Sequence, residues 1–128
     1  MSPIEQAALN IRTRAVAPFS KFLVGAALEA ADGRIFTGCN VESATYGLTI
    51  CAERNAVFHA IAEGARKFTR IAVAADTAKL TPPCGACRQV LWELCGDIEV
   101  ILVNPAGARE SMMLRDLIPR AFDASFLD

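Results

Sequence analysis

Cys51, Cys84 and Cys87 constrain this chain more than any other residues. They stand as Cys51-Ala52-Glu53 and Pro83-Cys84-Gly85-Ala86-Cys87. Three thiolates hold a zinc ion and leave its fourth position open, which separates a catalytic zinc from a closed structural one. A fold built on this set must bring Cys51 to the same point as a pair more than thirty residues away. The carboxylate of Glu53, two residues past the first thiol, is the proton carrier that a metal-activated water needs.

The local pattern shows how the two parts can meet. Cys84 and Cys87 are three apart at the start of a predicted helix, roughly 84–95, so both sulfurs can turn to one side of its first turn. Cys51 opens another predicted helix, 51–63. Two helix N-termini then face the metal, and their partial positive charge favours thiolates. Residues two apart do not share a face in mid-helix. Glu53 therefore reaches the same point only if Cys51 lies at the very end of its helix. Arg54 follows directly and is placed to offset the negative charge of three thiolates by hydrogen bonding to one of them.

A four-cysteine structural site is the competing reading, with Cys39 or Cys95 as fourth ligand. Cys39 falls on a predicted strand and Cys95 at the far end of its helix, and each reads more simply as a small buried apolar residue. His59, the one histidine, lies two turns beyond Cys51, roughly 12 Å up the helix, and reads as structural. Trp92 reads as a packing or interface residue. Arg66, Lys67 and Arg70 read as a solvated basic loop.

The remaining pattern predicts one domain over 1–128. The spacing of Ile4, Ala7, Ala8, Ile11 and Ala15 predicts a helix over 3–16 that stops before Pro18. Phe22 to Ala30 and Arg34 to Asn40 read as two strands joined at Asp32-Gly33. Short strands follow at 71–75, 98–103 and 109–113, with a short helix before Pro119. A hairpin followed by alternating helices and strands predicts a three-layer α/β/α domain around a mixed sheet. Thirteen basic against 14 acidic residues leave no basic stripe for nucleic acid. No apolar run approaches a membrane span, and no signal-peptide pattern is present. Five cysteines, an odd number spaced for metal, point to a reducing cytoplasm.

The stretch from Cys39-Asn40-Val41-Glu42 to Cys51-Ala52-Glu53-Arg54 resembles the short homotetrameric cytidine deaminases. So do Pro83-Cys84-Gly85-Ala86-Cys87-Arg88-Gln89, Pro18-Phe19-Ser20-Lys21-Phe22 and Leu117-Ile118-Pro119-Arg120-Ala121-Phe122, in the family's order. The resemblance implies a five-stranded mixed sheet covered by helices and one zinc per subunit held by Cys51, Cys84 and Cys87. It implies Glu53 as proton shuttle and Phe22, Asn40, Glu42, Ala52 and Phe122 as substrate contacts. Phe122 matches the phenylalanine that stacks on the pyrimidine of a neighbouring subunit, so the implied assembly is a homotetramer with shared active sites. The implied reaction is hydrolytic deamination of cytidine and deoxycytidine, with a zinc-activated water attacking C4. Three alternatives remain beside it. They are a blasticidin S-like substrate, a modified nucleoside, and a structural-zinc interaction module. A base in RNA or DNA would call for a basic groove and usually a histidine first ligand, and neither is present.

Overall fold

The computed structural model describes residues 1–127. Five strands form one sheet in the order β2-β1-β3-β4-β5. They are β1 (Val24–Ala30), β2 (Ile35–Cys39), β3 (Phe68–Ala75), β4 (Glu99–Val103) and β5 (Arg109–Met113). Only the β3–β4 pair is parallel; every other neighbour is antiparallel. The four helices are α1 (Pro3–Arg12), α2 (Ala52–Ala62), α3 (Gly85–Cys95) and the single turn α4 (Leu114–Leu117).

Strand alternation divides the core into two layers. Ala26, Leu28, Ile71, Val73, Val100 and Leu102 face the layer built with Ala52, Ala56, Val57 and Ala60 of α2 and Leu91 of α3. Ala27, Ala72, Ala74, Ile101 and Val103 face the opposite layer, against Ile4, Ala8 and Leu9 of α1. The three-layer mixed sheet expected from the sequence is the one observed.

Small residues set how closely the helices approach. A Cβ built on Gly38 of β2 would lie 2.3 Å from the Ala56 amide nitrogen and 2.6 Å from the Ala52 carbonyl oxygen. One on Gly25 of β1 would lie 2.0 Å from the Ala8 carbonyl oxygen of α1. Distances this short leave no room for a side chain. Gly38 thus lets α2 press its first turns onto the sheet, and that turn carries Cys51 and Glu53.

Several boundaries differ from the sequence expectation. The first helix ends at Arg12, not at residue 16. Thr13 donates its hydroxyl to the Asn10 carbonyl, and the Val16 backbone pairs with Asn40 and Glu42. The helix therefore ends six residues before Pro18, and the bridge holds Val16 in extended pairing instead. The buried face is also rotated: Leu9 is buried, Ile11 half-buried, and Ala15 outside the helix. β3 begins at Phe68, three residues early, because its first residues pair with the end of β1. In the hairpin Asp32 accepts the Arg34 amide at 3.1 Å, which closes the turn at the expected place.

Candidate metal centre

Cys51 is the N-cap of α2 and Cys84 the N-cap of α3, both in extended backbone just before the first helical residue. Cys87 lies one turn into α3 and is fully buried. The two helix starts therefore converge. Sγ of Cys51 lies 3.9 Å from Sγ of Cys84, and Sγ of Cys84 lies 3.5 Å from that of Cys87. All three sulfurs lie within 4.8 Å of one another, and Cys39 and Cys95 are outside the group. Tetrahedral zinc with sulfur ligands near 2.3 Å sets sulfurs about 3.8 Å apart. The cluster therefore fits zinc, with three protein ligands rather than four.

The electrostatics of the thiols follow from their contacts. The Cys51 thiol is held down at about 5, chiefly by the Cys87 thiol that hydrogen-bonds to it and then by Arg54. Cys87 is pushed up by the same contact and by burial. Between these two thiols, Cys51 thus takes the negative charge first. Nη2 of Arg54 donates to its sulfur at 3.3 Å.

Glu53, the second residue of α2, is 5% exposed. Burial pushes its carboxyl up to about 7, with the Cys51 charge adding to the rise. It lines a cavity of ≈ 180 Å³ together with Cys51, Cys84, Ala52, Asn40 and Phe22. Val24, Thr49, Val73, Thr81 and Pro82 complete the wall. Thr81 and Pro82 stand out in the sequence only as a stiff approach to Cys84, and Val24, Thr49 and Val73 are unremarkable alone; they reach the cavity through β1, β3 and the turn before α2. A wider groove of ≈ 810 Å³ runs along α1 and contains none of the metal or acid groups.

Asn40 and Glu42 are engaged within the chain. Asn40 is buried, accepts the Val24 amide at 2.9 Å and donates to the Phe22 carbonyl at 2.7 Å. Glu42 accepts the Phe19 and Ser20 amides at 2.9 and 3.1 Å, and the Ser20 hydroxyl as well. Both side chains therefore hold the Phe19–Val24 segment that carries Phe22 to the cavity mouth. Phe122 is not on the wall of this cavity; it is 55% exposed, on the segment after α4.

The other groups weighed in the sequence have structural partners. His59 is exposed, its Nδ1 3.0 Å from the Thr37 carbonyl and its ring edge-on to Phe36. Arg66 donates to the Ile61 and Ala65 carbonyls at the end of α2. Arg70 pairs with Glu29.

Comparison with known proteins adds an independent result. The family model for the cytidine and deoxycytidylate deaminase zinc-binding region matches residues 3–103. The chain is 50% identical over 118 residues to a cytidine deaminase of Halalkalibacterium halodurans, covering 91% of this chain and 89% of that protein. It is 50% identical over 112 residues to one of Sporosarcina psychrophila, covering 87% and 82%. The crystal structure of cytidine deaminase from Burkholderia pseudomallei superposes with a TM-score of 0.91 at 48% identity, covering 95% of this chain and all of that one.

Proposed function

The chain belongs to the cytidine and deoxycytidylate deaminase family, and we propose that it hydrolyses cytidine and deoxycytidine to uridine or deoxyuridine and ammonia. The observation that carries this reading is the three-sulfur cluster opening onto a small cavity beside a buried carboxylate. Cys51, Cys84 and Cys87 hold the zinc. Bound there, the ion would lower the pKa of a water and so make hydroxide available as the nucleophile near neutral pH.

Glu53 moves the protons. It takes one from the attacking water and gives it to N3 of the pyrimidine, which makes C4 electrophilic. It then takes the proton of the new C4 hydroxyl and passes it to the exocyclic amine, so that the C4–N bond breaks, ammonia leaves and the C4 carbonyl forms. Its burial among Ala52, Val73 and the cysteines keeps bulk water from competing for those protons. Arg54 spreads positive charge onto the Cys51 side of the cluster.

Asn40 and Glu42 are the ribose contacts in this reading, and Phe22 borders the sugar. Their bonds to the Phe19–Val24 segment already orient them, so binding adds partners to groups that do not have to be ordered first. A cavity of ≈ 180 Å³ is below the usual pocket range of roughly 300–1,000 Å³. It suits the ring, and leaves the rest of the substrate to be covered by other walls. Phe122 from a second copy is the proposed cover, stacking on the pyrimidine within a homotetramer. Tyr46 and Leu48, exposed on the approach to α2, are proposed to meet the neighbouring copies.

Residues 1–128 act as one catalytic unit in this reading. No helix among the described residues is long and apolar enough to cross a membrane, all five cysteines are free, and the cytoplasm is the proposed setting. Ultraviolet-monitored deamination of the zinc-loaded protein tests the substrate. Cytidine, deoxycytidine, cytosine, deoxycytidylate and blasticidin S are compared side by side. Turnover of the two nucleosides with little on the rest is expected; turnover confined to another compound would remove the nucleoside assignment while keeping the zinc chemistry.

A further inference from the structure

α3 holds the C-terminal segment through three donors on its outer side. Nη1 of Arg88 donates to the Leu117 carbonyl at 2.9 Å, and Nε2 of Gln89 to the Phe122 carbonyl at 2.7 Å. Nε1 of Trp92 donates to Oδ2 of Asp123 at 2.9 Å. Positions 88 and 89 lie four and three residues before 92, so the three side chains are neighbours on one helix face. The same helix opens with Cys84 and carries Cys87. The tail is thus registered to the element that bears two of the three metal ligands.

Asp123 works in two directions. Its Oδ2 takes the indole N–H, while its Oδ1 accepts the Ser125 amide at 2.9 Å and the Ser125 hydroxyl. It therefore caps the short turn Ala124–Phe126 and ties that turn to α3 at once. The result is an aromatic pair. The rings of Phe122 and Phe126 stack at 5.8 Å with an interplanar angle of 13°. They are 55% and 69% exposed, and neither lines the cavity of its own chain. Two large rings held parallel in the open by a carboxylate and an indole are not a core element of this chain.

We propose that Trp92 and Asp123 are positioning residues for substrate binding. Together with Gln89 they present Phe122, braced by Phe126, as a preset stacking surface for the pyrimidine held by a second copy of this chain. The proposal rests on the reading of Phe122 given above and adds what orients the ring. Holding the ring in place beforehand removes the ordering that a loose tail would undergo on each binding event. The chemistry recognised is a flat π-face, so the clamp acts on substrate affinity and leaves the acid–base step to Glu53.

The test compares wild type with Phe122→Ala, Trp92→Phe, Asp123→Ala and Phe126→Ala, each zinc-loaded, in steady-state cytidine deamination. Trp92→Phe retains the ring and loses only the N–H; Asp123 is at the surface, so its replacement leaves the core intact. Phe122→Ala is expected to raise KM about 10- to 100-fold. Trp92→Phe and Asp123→Ala are expected to raise KM about three- to ten-fold, with zinc content retained and kcat within about twofold. Phe126→Ala falls in the same range. Because Trp92 is the chain's sole tryptophan, Asp123→Ala should also shift its emission. A raised KM in Phe122→Ala alone, with Trp92→Phe and Asp123→Ala at wild-type values, overturns the clamp. No effect of Phe122→Ala, or no turnover of cytidine by wild type, instead overturns the reading on which the clamp rests.

Discussion

The Arg54 guanidinium donates through Nη2 to the Cys51 sulfur at 3.3 Å, three residues along the same helix. The surroundings favour that sulfur as thiolate, and the contact in turn raises the guanidinium's own proton affinity. Nε of the same side chain is buried without a hydrogen-bond partner among the described residues. A buried donor left unpaired has a cost, and the charge pairing at Nη2 offsets it. Arg54→Ala is expected to weaken zinc binding about 10- to 100-fold. Metal analysis after dialysis against a graded chelator reads this directly, and unchanged retention with unchanged turnover would remove the role.

Glu53→Gln keeps the shape of the site and removes the proton carrier. Turnover should fall by about 10²- to 10⁴-fold, while zinc stays at one per chain. Parallel metal analysis and single-turnover kinetics separate the two effects. Substantial residual activity would mean that another group carries the proton.

Removal of the metal is expected to loosen the junction of α2 and α3, since the two helix starts meet at the sulfurs. Free zinc at a hundred times its dissociation constant stabilises the fold by about 2.7 kcal/mol relative to the metal-free chain. A chelator should lower the melting temperature and zinc should restore it. Cys87→Ala should abolish the zinc-dependent shift, whereas Cys39→Ala should retain it. A shift surviving in Cys87→Ala would place the metal elsewhere.

Gly38→Ala drives a Cβ against the backbone of Ala52 and Ala56 rather than against a flexible side chain. Overpacking commonly costs 1–3 kcal/mol, so a loss of about 3 kcal/mol is expected here, where no rotamer can relieve the contact. Urea unfolding should show a lower midpoint with little change in slope. The variant should also lose activity, because α2 carries Cys51 and Glu53. A midpoint equal to wild type would show that α2 can shift outward freely.

Acid sensitivity has an identifiable contributor in Glu29. Arg70 reaches both of its oxygens, at 2.9 and 3.1 Å, and this holds its carboxyl below the ordinary value of 4.5, with Thr69 assisting. A folded value below the unfolded one means the contribution is complete above 4.5 and disappears as pH falls through the lower folded value. Glu29→Gln should therefore narrow the stability difference between neutral and acid solution. Melting temperatures from pH 7 down to pH 3 measure it; parallel wild-type and variant curves would assign the acid limb to other groups.

Much of the site could be read before any coordinates. Cys51 and Cys84 both fall at helix N-caps, as the motifs and following apolar patterns predict, since those signals are local. The end of α1 was not legible, because the chain leaves the helix to pair Val16 with a segment about 25 residues away. Nor was the internal engagement of Asn40 and Glu42. Their partners at Phe19, Ser20, Phe22 and Val24 are remote in sequence, and either side chain viewed alone looks free. The grip of Trp92 on Asp123 spans 31 residues and has no periodic signature.

The residue types, their spacing within each helix start, and the alternation that makes a two-faced sheet are all legible in the order of the amino acids. These depend on neighbours within a turn or a strand. The meeting of two helix starts at sulfur–sulfur distances suited to one metal arises instead from the folded arrangement. Folding also buries Glu53 beside them and leaves Phe122 off the wall of its own cavity. Those outcomes depend on how closely α2 settles over Gly38 and on which way the tail turns off α3. They are set by packing between segments distant in sequence, where sterics and desolvation act and local propensity does not.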